Sequence, residues 1–172
     1  MKTIVVYRSK YGSTKQYAEW IAEELGCEAA DAKNIKANDL LPYDAVIFGG
    51  GLYSENIDGI SLISKNFDLL KDKKIIVFTV GLTDPGHERY YNSVADRNLS
   101  DEMRESIKLF NLPGKMIMEE LSFPHRKALG MLKMVLSKKS NLSDDGKLLL
   151  ELCDKSNDFM DREAIKPILD EF

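Results

Sequence analysis

Short apolar runs recur along the chain and are separated by segments with helical spacing. The runs are rich in Val, Ile and Phe and barely alternate between apolar and polar positions, which is typical of strands buried on both faces of a parallel sheet. We predict strands at TIVVY (3–7), DAVIFGGG (44–51), KIIVFTVG (74–81) and KMIMEEL (115–121), with CEAAD (27–31) as a short edge strand.

The segments between these runs repeat apolar residues at three- and four-residue spacing, which predicts helices. The first has Tyr17 and Ile21 on one face, Ser13 or Thr14 as its cap and Gly26 at its end. Further helices are expected over 60–70, 100–110 and 142–160. Because strands and helices alternate, the pattern predicts βαβ units and an α/β sandwich with helices on both faces of the sheet.

The composition is that of an ordinary globular protein. The chain has 172 residues, of which 44% are hydrophobic and 30% charged, and this favours one domain over 1–172 and excludes fibrous or disordered classes. A net charge of −4 argues against nucleic-acid binding. No apolar run suits a spanning helix or a secretion signal, so we expect a cytoplasmic protein. Two distant cysteines and two histidines predict neither a metal site nor a dithiol motif.

Three loops of unusual composition follow predicted strands, at 8–14, 49–59 and 81–98. In an open parallel sheet, ligands bind at the carboxyl ends of the strands. The first loop, SKYGST at 9–14, combines hydroxyl side chains with a glycine but lacks both G-x-G-x-x-G and G-K-[ST]. Two interpretations are open for it: a capped turn, or an anion site in which loop amides and the helix dipole bind a phosphate.

The SKYGST segment after a first strand resembles the phosphate loop of the flavodoxin family. The resemblance implies a flavodoxin-like three-layer sandwich, with a five-stranded parallel sheet of order 2-1-3-4-5 and helices on both faces. It also implies a noncovalently bound FMN, whose phosphate is surrounded by hydroxyl groups and backbone N–H groups. The implied phosphate-binding residues are Ser9, Lys10, Tyr11, Gly12, Ser13 and Thr14.

The other two loops correspond to segments that contact the flavin ring in that family. In GGGLYSENIDG, three glycines allow close approach of the backbone and Tyr53 is expected to stack on the ring; the alternative is a flexible surface loop. In the third loop, Tyr90 and Tyr91 either cover the ring or form a buried seam. The implied ring-contacting residues are Gly51, Leu52, Tyr53, Ser54, Gly81, Leu82 and Thr83.

One subgroup of the family is more similar than the short electron carriers. The segments 1–25, VGLT (80–83) and FPHRKALGMLKMVLSKKS (123–140) are similar to menaquinone-dependent protoporphyrinogen oxidases, which oxidise a tetrapyrrole precursor with FMN and pass electrons to a quinone. The chain departs from that pattern in two places. The loop after the third strand lacks a basic residue followed by Tyr-Gly, and TDPGHERYYNSVADRN is acidic and tyrosine-rich.

The segment at about 123–140 is predicted to add a basic amphipathic helix to the domain. Three interpretations are open: it packs on its own sheet or on a second subunit of a homodimer, it rests on an anionic membrane, or it forms a wall for a hydrophobic substrate. Its two faces are formed by Ala128, Met131, Leu132, Val135 and Leu136, and by Arg126, Gly130, Lys133 and Ser137.

The sequence therefore predicts an FMN-binding, flavodoxin-like redox protein that exchanges electrons with partner proteins or a quinone. One alternative is an FMN-dependent protoporphyrinogen oxidase or quinone oxidoreductase of the same superfamily. A second is a non-redox binding module that has lost flavin. No side chain is predicted to act as a catalytic acid or base, and the choice between carrier and enzyme stays open.

Overall fold

The computed structural model describes the backbone of residues 1–172 and every side chain except those of Asp144 and Asp145. The chain divides into two compact units, one formed by 1–114 with 160–172 and the other by 115–159. The first unit contains the predicted sheet, and the second contains the predicted basic helix. The single-domain organisation stays a prediction.

The first unit is built on a parallel sheet. Its strand order is that of the predicted flavodoxin-like fold, 2-1-3-4-5 when the five parallel strands are counted along the chain. A two-residue strand, β4, pairs antiparallel with the end of the central strand β3. The strands are β1 (Thr3–Arg8), β2 (Glu28–Asp31), β3 (Ala45–Tyr53), β4 (Asn56–Ile57), β5 (Lys74–Gly81) and β6 (Lys108–Pro113).

Helices alternate with the strands as predicted, but the prediction of 81–98 as a loop is wrong beyond His87, where a helix begins. In chain order they are α1 (Ser13–Leu25), α2 (Ser61–Ser64), α3 (Phe67–Leu70), α4 (Glu88–Asn98), α5 (Asp101–Ser106), α6 (Phe123–Ser137), α7 (Asp144–Leu152) and α8 (Lys166–Leu169). Short 3₁₀ turns lie at Ala32–Asn34, Ala37–Leu40, Met118–Glu120 and Arg162–Ile165. Of the α-helices, α6 and α7 belong to the second unit.

The sheet has an apolar core on each face. Consecutive residues of one strand point to opposite faces, so Ile47 packs with Tyr17 and Ile21 of α1, whereas Val46 and Phe48 pack with residues of α2 to α5. Both cores exclude water from these side chains. This explains why the strand sequences are continuously apolar rather than alternating.

Residues 160–172 complete the core on the α1 face. The hydroxyl of Tyr17 donates to the carbonyl of Pro113 at 2.7 Å and accepts from the backbone N–H of Asp161 at 3.0 Å. Ile165 and Ile168 are buried in the same core. Tyr17 therefore ties α1, the end of β6 and the returning chain together.

The predicted fifth strand at 115–121 is wrong, and the fifth parallel strand is β6. Helix α5 ends at Ser106, because the backbone becomes extended at Ile107. From there Ile107 and Leu109 face one core while Phe110 and Leu112 face the other. The helix expected over 100–110 is therefore wrong beyond Ser106. The apolar residues after this point belong to a strand, although their spacing was interpreted as helical.

The helix expected over 60–70 is two short helices, α2 and α3. Asn66 separates them with φ −119° and ψ 19°, and its side-chain amide donates to the carbonyl of Leu62 at 2.9 Å. An Asn side chain that bonds to the backbone competes with the helical hydrogen-bond pattern.

The second unit holds the helix predicted from the basic segment at 123–140, which is α6. Two short strands, β7 (Lys115–Met116) and β8 (Asn157–Asp158), pair antiparallel at the base of the unit. Lys133 of α6 forms an ion pair with Asp154. The helix expected over 142–160 is shorter, since α7 begins after Ser143, whose hydroxyl accepts from the N–H of Gly146 at 3.2 Å.

Candidate functional site

The carboxyl ends of β1, β3 and β5 lie side by side at one edge of the sheet in the first unit. The strand register pairs Arg8 with Gly50 and Gly51 with Val80. The chain segments that follow these strands therefore leave from the same edge. This is the position at which open α/β sheets bind ligands.

The segment between β1 and α1 is a tight loop that is closed by Ser9. The hydroxyl of Ser9 accepts from the N–H of Gly12 at 3.1 Å. Gly12 has φ 91°, a left-handed conformation that side chains rarely tolerate. The ammonium of Lys10 lies 5.5 Å from the centre of the Tyr11 ring. The predicted phosphate loop thus has a defined shape that depends on glycine at position 12.

The amino end of α1 has no side-chain cap. The predicted cap at Ser13 or Thr14 is wrong, because both residues lie inside the helix and the capping position is Gly12, which has no side chain. Backbone N–H groups in the first turn of a helix have no partner within the helix. The helix therefore presents amide donors and the positive end of its dipole at the sheet edge.

Ser13 and Thr14 are buried at this helix end, with 8% and 3% of their surface exposed. The hydroxyl oxygen of Ser13 is buried without a hydrogen-bond partner. A buried polar group left unsatisfied costs about 1–3 kcal/mol. A phosphate monoester supplies acceptor oxygens for such a hydroxyl and for the amides around it, so the residues present fit that group.

Arg8, the last residue of β1, is a cation at this edge that was not predicted from the sequence. Its Nη1 lies 3.9 Å from Oδ1 of Asp31, and its Nε lies 3.7 Å from Oδ2 of Asp58. Gly59, with φ 78°, packs against it: a Cβ there would lie 2.8 Å from the Cβ of Arg8. Arg8 links three segments, and the two acids offset most of its charge. Its only sequence signal is a lone Arg at the end of an apolar strand.

The glycine run after the predicted third strand lies inside β3 and approaches protein atoms. A Cβ at Gly49 would lie 2.1 Å from Cζ of Phe78, and one at Gly50 would lie 2.7 Å from the carbonyl oxygen of Asp58. The expectation that these two glycines make room for a ligand is therefore wrong, and most of the predicted loop is a pair of strands, β3 and β4. The carbonyl of the buried Gly51 accepts from the N–H of Asp58 at 2.9 Å.

A two-residue turn joins β3 to β4. Ser54 and Glu55 both have positive φ, 49° and 66°, which is rare for residues other than glycine. Asn56 supports the turn, since its side-chain amide donates to the carbonyl of Ser54 at 3.0 Å. Such strain persists only where surrounding contacts hold the backbone in place.

The end of α4 provides those contacts. The side chain of Asn98 donates to the carbonyl of Glu55 at 2.7 Å and accepts from the N–H of Ile57 at 2.9 Å. Arg97 forms an ion pair with Glu55 at 3.0 Å. Helix α4 thus fixes the turn that follows Tyr53, and these contacts were not predicted from the sequence.

Tyr53 lies where the first two loops meet. Burial, followed by the charges of Asp58 and Tyr11, raises the pKa of the Tyr53 phenol to about 12. Tyr11 belongs to the phosphate loop, so the two segments are close enough to affect each other electrostatically. Tyr53 is partly buried at this junction, and its stacking on a flavin ring stays a prediction.

Hydrogen bonds and side-chain packing hold the third loop in place. The carbonyl of Gly81 accepts from the N–H of Gly114 at 2.7 Å, and the side chain of Leu52 lies against Gly81. The hydroxyl of Tyr91 donates to the carbonyl of Thr83 at 2.9 Å, and its ring is buried in the core. The buried-seam interpretation is therefore confirmed for Tyr91.

Tyr90 lies between the third loop and the turn after β3. Its pKa is raised, first by burial, while its interactions include Thr83 and Glu55. The structure thus brings the first, second and third loops to one edge, with 82–83 partly exposed. Direct contact of the thirteen predicted residues with a cofactor stays a prediction.

A comparison with known families decides the assignment of this fold. The flavodoxin domain model matches residues 4–143, which is most of the chain. The chain belongs to the flavodoxin domain family. This assignment supports FMN as the cofactor of the flavodoxin-like protein described above. No curated protein matches the sequence.

The solved structures to which the chain is similar include flavodoxins and a flavoprotein. A flavodoxin from the domain Archaea is 20% identical, with a TM-score of 0.45, and the match covers 70% of this chain and 88% of that one. A flavoprotein in complex with FMN from Lactobacillus acidophilus is 16% identical, with a TM-score of 0.41 and coverage of 65% and 91%. The two-electron reduced flavodoxin of Megasphaera elsdenii is 19% identical, with a TM-score of 0.44 and coverage of 63% and 84%.

Proposed function

We propose that this flavodoxin-family chain binds FMN noncovalently at the carboxyl edge of its sheet and transfers electrons through it. The observation that carries the proposal is the amino end of α1, where the helix has no side-chain cap and the buried hydroxyl of Ser13 has no partner. Glycine is common at the capping position, so the buried Ser13 hydroxyl without a partner is what points to an added acceptor.

The loop residues have separate roles in this proposal. The hydroxyls of Ser13 and Thr14 donate to the phosphate, together with amides of the first turn. Ser9 accepts from Gly12 and keeps its own O–H available as a donor. Tyr53, Leu52 and the residues around Gly81 line the edge where the ring lies. The predicted phosphate-loop set is Ser9, Lys10, Tyr11, Gly12, Ser13 and Thr14, and the ring set is Gly51, Leu52, Tyr53, Ser54, Gly81, Leu82 and Thr83.

The charged groups near Tyr53 and Tyr90 have a net negative charge, because Arg8 faces both Asp31 and Asp58 while Arg97 balances Glu55. FMN, when bound, supplies one- and two-electron redox chemistry that side chains lack. Asp58 and Glu55 act on the pKa values of Tyr53 and Tyr90, respectively, and both disfavour further negative charge in their surroundings. We therefore expect the bound cofactor to have a lower reduction potential than free FMN.

The decisive experiment is an absorption spectrum of the purified protein followed by titration with FMN. Replacing Ser13 by Ala together with Thr14 by Val should weaken FMN binding at least about tenfold, because a hydrogen bond to a charged acceptor is worth about 1.5–3 kcal/mol. Binding of riboflavin, which has no phosphate, should change little in the same variant.

Ser100→Ala provides a matched control. The Ser100 hydroxyl caps α5 by accepting from the N–H of Met103 at 3.3 Å, so its loss should lower stability and leave FMN affinity unchanged. Equal FMN affinity of the Ser13/Thr14 variant and the wild type would place the phosphate elsewhere. A colourless protein that FMN does not affect would support the second alternative, a binding module without flavin.

A second candidate function is an FMN-dependent oxidase of a tetrapyrrole or a quinone oxidoreductase. It is favoured by the additional compact unit 115–159, which contains the basic segment similar to protoporphyrinogen oxidases. Steady-state turnover of protoporphyrinogen with a menaquinone analogue would support it. A carrier would instead be reduced and reoxidised by partner proteins without consuming either compound.

The proposal also places the protein in the cytoplasm, with redox proteins or a quinone as partners. Cys27 and Cys153 are free thiols, as expected in a reducing compartment. Because Cys153 is buried, both thiols are labelled in denaturant directly after lysis without reductant, and full labelling would support this placement.

A further inference from the structure

Positive charge is concentrated in the segment that forms α6. Residues 123–140 contain five Lys and Arg and no Asp or Glu, so the other residues carry 19 basic against 28 acidic side chains. An otherwise acidic protein thus has a continuous segment, 123–140, in which every charge is positive. The cations are Arg126, Lys127, Lys133, Lys138 and Lys139.

The exposed face of α6 is apolar. The side of the helix that faces its own unit includes Leu136, which is buried. On the opposite side Phe123 is 78% exposed, Met131 56%, Met134 50% and Val135 53%. Their spacing over three turns places them on one broad face, which also includes Lys127 and Lys138. Helix α6 therefore has apolar side chains on both sides.

The mixture of side chains on this face indicates what it binds. The centre of a protein interface is depleted in Lys, because a buried ammonium needs a partner. An interfacial helix instead combines large apolar side chains with Lys and Arg, whose flexible stems lie along apolar surface while the charged ends reach lipid headgroups. Lys127 and Lys138, both exposed, lie within the apolar face rather than around it.

We infer that α6 is a peripheral docking surface for an anionic lipid bilayer, into which Phe123, Met131, Met134 and Val135 insert to the depth of the headgroups. The charges of the lipid headgroups complement Lys127 and Lys138, which lie on this face, whereas Lys133 is paired with Asp154. Across the described residues, no helix is long and apolar enough to cross a membrane. The inference does not depend on the flavin, since its residues lie in the second unit.

The test uses the full chain and vesicles of phosphatidylcholine with about 30 mol% phosphatidylserine. The wild type should sediment with these vesicles at low salt and bind at least about tenfold more weakly to pure phosphatidylcholine, or when salt is raised from about 50 to about 500 mM. Little binding to anionic vesicles at low salt would overturn the inference.

Two pairs of variants separate the apolar and the charged contributions. Phe123→Ser with Met134→Ser, and Lys127→Gln with Lys138→Gln, should each weaken binding at least about fivefold. The matched controls lie in the first unit: Leu69→Ser, which changes an exposed apolar side chain, and Lys65→Gln with Lys71→Gln. These controls should bind vesicles as the wild type does.

Misfolding and self-association are measured on the same purified variants. Far-UV circular dichroism and FMN affinity should be unchanged in all variants, which shows that they fold. Sedimentation velocity reports on a second copy as the occupant. A dimer that is lost in the Phe123/Met134 variant, together with vesicle binding that is unaffected by it, would overturn the lipid assignment in favour of self-association.

Discussion

The loop at 9–12 and the run at 49–51 both place glycine at the carboxyl edge of the sheet, but the surroundings of these glycines differ. Around Gly12 no atom lies within 4 Å of a built Cβ, and the next residue has a buried hydroxyl without a partner. Around Gly49 and Gly50 the space is filled by Phe78, Ile57 and the backbone of Asp58. A glycine in the sequence thus indicates that another group approaches the backbone closely. Only the fold shows whether this group belongs to a ligand or to the protein itself.

The largest effect on stability is expected at Gly49, where protein atoms fill the space beside the backbone. Gly49→Ala should lower the free energy of unfolding by about 2–3 kcal/mol, because the added methyl overlaps the fully buried ring of Phe78. Urea denaturation measures the loss. Adding Phe78→Leu should restore more than half of it, and purely additive losses would contradict the proposed overlap. At Gly51 the nearest atom is 3.2 Å away, so Gly51→Ala is a matched control with a smaller loss.

Gly12→Ala should have a smaller effect of a different origin. The position is open, but its φ of 91° disfavours an L side chain, and we expect a loss of about 1–2 kcal/mol. FMN affinity should fall as well, since the loop amides move. Chemical denaturation and FMN titration measure the two effects. Wild-type stability in this variant would mean that the loop adopts another conformation without strain.

Ser13→Ala should stabilise the protein in the absence of flavin. It removes a buried hydroxyl that has no partner, and we expect a gain of about 1 kcal/mol in thermal or urea unfolding of flavin-free protein. The same change should weaken FMN binding, so function and stability respond in opposite directions. A loss of stability would show that the hydroxyl is satisfied within the folded chain.

The smallest effect concerns pH. The pKa of Tyr53 is raised from 10.0 to about 12, so the folded state favours the neutral phenol. Its contribution to stability is complete below about pH 10 and is lost as the pH rises towards about 12. Tyr53→Phe should therefore flatten the alkaline decline in stability over this interval. The difference in phenolate absorbance between the wild type and Tyr53→Phe isolates this side chain among the seven tyrosines, and a difference that titrates near pH 10 would contradict its burial.

The sheet and first helix were predictable because their signals are local. Tyr17 and Ile21 repeat at helical spacing, and the apolar runs of β1, β3 and β5 have no polar face. Strand β6 was missed because Met103, Ile107 and Phe110 also fit the spacing of an amphipathic helix. Only pairing with β5 decides between the two, and that pairing joins residues 32 positions apart, such as Val77 and Leu109.

The candidate site was predictable as a set of loops but not as a set of contacts. The motif in 9–14 indicates phosphate binding, whereas the contacts of Arg8 with Asp31 and Asp58 join three distant segments. The same applies to Asn98, which holds the turn after Tyr53 from more than 40 positions away. Periodicity and motif spacing do not predict ion pairs and hydrogen bonds between segments that are distant in the sequence.

The return of residues 160–172 to the first unit has a consequence for synthesis on the ribosome. The sheet and α1 emerge early, yet the face that Ile165 and Ile168 cover stays open until the whole of 115–159 has been translated. A nascent chain thus exposes an apolar surface for the time needed to add more than 40 residues. Chaperones have access to this surface during that time. A chain released from a ribosome that stalls within the second unit would lack 160–172. The apolar face of its sheet would stay exposed, and such a chain is a substrate for proteases.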